Sequence, residues 1–232
     1  MRDTFLAVAR FLFGGICHQL PDRCLYYQGQ ALPICARCTG TFLGVLVALL
    51  ALWAMCQGRR NQLPSWRLSA FLAVLVGLWG LDGANSLVQL AFGVPLLYEP
   101  RNSLRLATGM GFGLTIGIVL YPIYHFAMWR KVIERPVLER EWHIMVPLLT
   151  GAVWVVALLA WETAPFALWT TVVSLAVLAV LAMVNGTLTA LLLHKEGFAD
   201  SWPEIVPYLL AGLLAALVEM GILGALRRLV MG

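Results

Sequence analysis

The sequence predicts an all-α, polytopic integral membrane bundle of about six transmembrane helices, preceded by a short N-terminal interfacial helix and a Cys-rich loop. Three observations predict it. Hydrophobic residues make up 61% of the chain and charged residues 12%, about half the charged fraction that a water-facing surface requires. Stretches without Asp, Glu, Lys or Arg run between Arg37 and Arg59, Arg105 and Arg130, His143 and Glu162, and Glu162 and His194; a bilayer core needs about 20 apolar helical residues. Finally, four of the five cysteines crowd into the 24 residues from Cys17 to Gly40, and the chain beyond Gly40 is almost entirely hydrocarbon-compatible.

Taken in order, residues 4 to 15 form an apolar helix too short to span and interrupted by Arg10, which suits an interfacial or re-entrant position. No A-x-A-like site follows it, and Ile16 stands where a lipoprotein signal needs a small residue, so the N-terminus is expected to be retained. Leu20-Pro21-Asp22 and Gly29 break periodicity, so Cys17 to Pro33 reads as a loop with turns. The first span, Thr39 to Cys56, carries Gly40 and Gly44 at a spacing that admits a close helical neighbour.

A basic connector with Arg59, Arg60 and Arg67 leads to the second span, Leu68 to Phe92, whose Asp82, Asn85 and Gln89 share one helical face. Pro95 and Pro100 shape a short loop. The third span, Asn102 to Trp129, opens with Asn102, Arg105 and Thr108 on one face and continues with Gly109, Gly113 and Gly117. Arg130 to His143 connects to the fourth span, Ile144 to Ala160. The fifth, Phe166 to Leu193, contains Asn185, and the sixth, Ile205 to Leu226, contains Glu219. With no internal repeat or soluble segment, residues 1–232 read as a single membrane domain: 1–38 the interfacial helix and Cys/His loop, 39–232 the bundle.

Counting spans places Cys38, Gln89, Arg105 and Glu162 at the same membrane face. Basic residues divide eight against eight between the two sides. If Arg23, Arg37 and Arg105 are held within a site they cease to report topology, and the cysteine loop is then expected on the extracytoplasmic side of the cell membrane. The lack of a basic stripe interleaved with aromatics argues against nucleic acid as a partner; the expected partner is the lipid bilayer.

Two constellations carry chemistry. Cys35-Ala-Arg-Cys38 has the spacing that brings two thiolates to one tetrahedral ion, and Cys17, His18 and Cys24 are further ligand candidates in the same loop, so zinc is the favoured cofactor. The rival reading is a redox pair at a helix N-terminus, exchanging electrons with a membrane quinone; the bland one is a structural disulfide or inert thiols. The second constellation is Asp82, Asn85, Gln89, Asn102 and Arg105. It reads either as a buried Asp82–Arg105 ion pair fixing helix register or as a polar pocket with Asp82 carrying protons and Arg105 holding an anion. Cys56 reads as an inert thiol, and the Trp residues as interfacial belts.

The run CHQ, PDR, LPICARCTG, LDGANSLVQL and EPRNSLRLATGMGFG resembles a prokaryotic family of small multi-pass membrane proteins of unknown function, over about residues 14 to 117. The resemblance implies that Cys17, His18, Gln19, Arg23, Cys35, Arg37, Cys38, Gly40, Asp82, Gly83, Gln89, Asn102, Arg105 and Gly109 fall on that family's pattern. Its pattern often has serine at the position of Cys24, which favours Cys17, His18, Cys35 and Cys38 as the metal set, with one of the adjacent Cys17 and His18 outside the ion's immediate reach.

The leading expectation is a zinc site above a polar pocket, acting on a lipid or anionic substrate if one coordination position is open. Arg37 and Arg105 would hold the anion, Asp82 would move protons, and Gln89 and Asn102 would complete the pocket. A thiol–disulfide oxidoreductase is the alternative and a transporter the third reading. The polar residues crowd one face rather than lining a path, which weighs against transport.

Overall fold

The computed structural model describes residues 2–231, with side chains from 6 to 230. Helix α1 (Arg2–Phe13) is followed by strands β1 (Cys24–Tyr27) and β2 (Gln30–Cys35), then α2 (Ala36–Ala54), β3 (Arg60–Gln62), α3 (Trp66–Phe92) and α4 (Asn102–Met128). Strand β4 (Ile133–Pro136), α5 (Met145–Ala160), α6 (Phe166–Leu192) and α7 (Trp202–Met231) complete the order. Among the described residues six helical segments are long and apolar enough to cross a membrane, each overlapping an expected span. The chain is a multi-pass helical membrane protein.

The expected loop from Cys17 to Pro33 contains an antiparallel β-hairpin. Gln28 (φ 52°) and Gly29 (φ 75°) both occupy the left-handed region, as the two central residues of a type I′ hairpin turn must. Gln28-Gly29 lies between strands of only 4 and 6 residues, too short to show a clear period of two. The two connectors likewise hold a parallel pair, β3 with β4, closed by Ile133 N–H to Arg59 O (2.8 Å) and Val137 N–H to Gln62 O (3.0 Å).

The chain divides into two compact units. The first comprises α1, the hairpin, Tyr124–Val132 and everything from Glu162 onward. In it α6 packs along α7, and Tyr124, Met128, Trp129, Ala190, Ala199 and Ile205 form a buried apolar cluster. The hairpin docks on the start of α6: the Phe166 N–H donates to Gln28 Oε1 (3.4 Å), and Tyr27 lies 6.0 Å from the Trp169 ring.

The second unit comprises Ala36–Ile123 and Ile133–Trp161. Its seam is between α2 and α4. A Cβ on Gly40 or Gly44 would strike the backbone of Leu106, Met110 or Leu114, and one on Gly109 or Gly113 would strike the carbonyls of Arg37 or Thr41. The two glycine stripes therefore face each other, allowing backbone contact where no hydrophobic driving force exists between helices in lipid.

Helix α3 is inside-out by soluble standards. Val74, Leu78, Leu81, Leu87 and Leu90 are exposed, while Asp82, Asn85 and Ser86 are at most 1% exposed. In hydrocarbon this arrangement is the favourable one, since apolar side chains face lipid and polar groups must find partners inside the protein.

Candidate metal centre

Three sulfurs converge at the mouth of α2. The chain leaves α1 through a turn in which the Cys17 N–H donates to Phe13 O (2.9 Å), burying Cys17. Gln19, at φ 52°, then ties this turn down: its Nε2 donates to Arg10 O (2.9 Å) and Pro33 O (2.8 Å). Strand β2 ends at Cys35, whose N–H donates to Cys17 Sγ (3.2 Å). Cys38 lies in the first turn of α2, three residues after Cys35.

The Sγ atoms of Cys17, Cys35 and Cys38 all lie within 4.8 Å of one another, and none of the three is in a disulfide. Thiolates around a tetrahedral zinc stand about 3.8 Å apart, given a Zn–S bond of about 2.3 Å. The donor set and its spacing therefore fit a soft divalent ion, with three ligands from the chain.

The other two expected ligands stand outside this group. His18 is exposed, its Nδ1 accepts the Leu20 N–H (3.2 Å) and its carbonyl accepts from Arg227 (2.6 Å). Successive residues on an extended turn point in opposite directions, so burying Cys17 turns His18 outward. Cys24 faces Cys35 across the hairpin, but its thiol donates to Leu20 O (3.3 Å). Burial first, and then the neighbouring Cys17, Cys35 and Asp22, push that thiol up to about 12, against the pull of Arg10. It is held as a neutral thiol.

Asp82, expected to pair with Arg105, is bound by Arg37. Arg37, inside the C-A-R-C, is the guanidinium bound to the Asp82 carboxylate, through Nε (3.1 Å) and Nη2. Nη2 also donates to Asp82 O (3.1 Å) and Ser86 Oγ (3.0 Å). The carboxylate accepts further bonds from Tyr98 Oη (2.8 Å) and Thr108 Oγ1 (3.4 Å). Arg105 Nη1 donates to Asn102 Oδ1 (2.9 Å), one turn away on its own helix. Pairing could not be read from the span pattern because both arginines are expected at the same membrane face.

The remaining polar positions also find roles. Asn85 clasps the loop before α4, donating to Tyr98 O (2.7 Å) and accepting from Leu97 N–H (2.8 Å). Gln89 donates to Glu99 (3.2 Å). Sequence reasoning missed Ser86, Tyr98 and Glu99. Ser86 lies one turn from Asp82 and was detectable by that spacing; the two loop residues carried no periodic signal. Partial burial and the bond to Asp82 push the Tyr98 hydroxyl up to about 12, with Arg37 and Arg105 opposing, so it stays a donor.

Residues 17–119 match the family described as "Predicted membrane protein (DUF2085)". The expected resemblance to a multi-pass membrane family is therefore found, and the matched segment contains Cys17, Cys35, Cys38, Arg37 and Asp82. An uncharacterized protein of Methanocaldococcus jannaschii is 27% identical over 129 residues, 55% of this chain and 76% of its own length. An uncharacterized protein of Methanothermobacter thermautotrophicus is 27% identical over 116 residues, 50% of this chain and 94% of its own. No solved structure matches.

Proposed function

We propose that the protein is a zinc-type metalloprotein of the membrane whose centre is held by Cys17, Cys35 and Cys38, with the fourth position left for an exogenous ligand. The observation that carries this reading is the convergence of three sulfurs, two of them buried, within 4.8 Å of one another. Three protein ligands and one open position are the mark of catalytic rather than structural zinc sites. When bound, such an ion supplies Lewis acidity toward water or a phosphoryl or carbonyl oxygen, which suits a lipid or other anionic substrate.

What the chain's own residues do is narrower than the sequence suggested. Arg37 anchors the first turn of α2, and with it Cys38, by its bonds to Asp82 and Ser86. Asp82 receives bonds from Arg37, Tyr98 and Thr108, and in this reading it acts as the brace of the centre. Because Arg37 is engaged in this way it no longer reports topology, which favours the cysteine loop on the extracytoplasmic side.

Metal content of the purified protein tests the reading. About one zinc per chain is expected, falling to background in Cys35→Ser/Cys38→Ser. Metal-free protein whose Cys35 and Cys38 instead shift between thiol and disulfide in trapping gels would transfer the assignment to a quinone-linked dithiol.

A further inference from the structure

A second site lies within the first unit, between the end of α1 and the end of α7. A cavity of about 540 Å³ there is lined by Arg10, Arg227 and Arg228 together with Phe11, Gln19 and Gly224. Among the described residues no acidic side chain lines it.

The three guanidiniums differ in how they are held. Arg227 is fixed in place: Nη1 donates to Gly14 O (3.1 Å), Cys17 O (2.7 Å) and Gln19 Oε1 (3.4 Å), and Nη2 to His18 O (2.6 Å). Arg228 stacks 4.5 Å above the Phe11 ring, which sets its direction while leaving its donors available. Among the described residues neither Arg10 nor Arg228 forms an ion pair with a carboxylate. Three cations around one cavity repel each other unless an anion sits among them, and guanidinium forks match the oxygens of phosphate in pairs.

The surroundings indicate which phosphate. Arg227 and Arg228 lie at the C-terminal end of the last span. Next to them Leu226, Leu229 and Val230 are exposed, as is Val8 on α1, a surface for acyl chains rather than water. Basic pockets between helices at the bilayer surface are how membrane proteins hold anionic headgroups. We infer that this cavity binds the phosphate group of an anionic lipid, with Arg10 and Arg228 gripping it and Arg227 supplying fixed charge. None of its cations belongs to the Arg37–Asp82 cluster, and its link to the sulfur group is the bond from Arg227 to the Cys17 carbonyl, so the variants that test it leave Arg227 in place.

Native mass spectrometry of the whole chain in detergent, titrated with dioleoyl phosphatidic acid, tests it. One phosphatidate per chain is expected, with dioleoyl phosphatidylcholine bound at least about tenfold more weakly, as is phosphatidate by Arg10→Gln/Arg228→Gln. Arg135→Gln/Arg140→Gln removes the same charge away from the cavity and is expected to bind like the wild type. Should the glutamine pair melt early, Arg10→Glu at an exposed position carries the same expectation of a tenfold loss. Equal retention by the cavity variants, or equal loss in the distant pair, would overturn the inference. Displacement of the lipid by millimolar inorganic phosphate would overturn the lipid source and assign the cavity to free phosphate.

Discussion

Arg37 and Asp82, 45 residues apart, form the ion pair that fixes the start of α2 against α3. The guanidinium sits between the two cysteines of the C-x-x-C in sequence, so the brace and Cys38 share one helical turn. Asp82 is 1% exposed, and a carboxylate so placed depends on its partner.

Removing either member is therefore expected to be costly. Arg37→Ala or Asp82→Asn should each lower stability in detergent by about 3–5 kcal/mol, the usual penalty for stranding one half of a buried pair. The double variant should cost less than the two single losses added together. Strict additivity in denaturation of all four proteins would show that the pair does not act as a unit.

Tyr98 should make a smaller, pH-dependent contribution. Tyr98→Phe removes a bond to a charged acceptor, worth about 1.5–3 kcal/mol. From an unfolded value of about 10, burial and the bond to Asp82 push the folded hydroxyl up to about 12, so the raised value stabilises the fold fully below the lower of these. That stability fades as pH climbs from the first towards the second. The difference between wild type and Tyr98→Phe is expected to be flat at neutral pH and to shrink across this alkaline window.

Gly109 is expected to couple the helix seam to the metal centre. A Cβ there would strike the Arg37 carbonyl, and backbone cannot move aside as a side-chain tip can. Gly109→Ala should cost about 1–3 kcal/mol by overpacking and reduce bound metal. Gly83→Ala, where an added methyl meets nothing within 4 Å, is the matched comparison and should leave the metal in place.

The ligand set itself can be divided. Cys24→Ser and His18→Ala should retain metal, since neither belongs to the converging group, whereas Cys17→Ser should lose it. Zinc loss in His18→Ala with retention in Cys17→Ser would reverse the assignment made from the geometry.

Much was legible in the chain itself. Six spans and their approximate limits follow from hydrocarbon length and the scarcity of charge, because a helix crossing lipid must satisfy its backbone within itself and show an apolar surface along its whole length. The thiol-rich segment and the polar face of α3 were visible for the same reason: departures from that rule stand out. Three things were decided only by the tertiary structure. The hairpin of 24–35 and the β3–β4 pair depend on partners distant or short in sequence, so no periodicity announces them. Arg37 reaches Asp82 because the glycine seam draws the first turn of α2 close to its neighbours, and spacing along a helix cannot say which charge a carboxylate on another helix will meet. Cys17 rather than His18 joined Cys35 and Cys38 because a turn can bury only one of two adjacent side chains, and which one it buries is settled by packing.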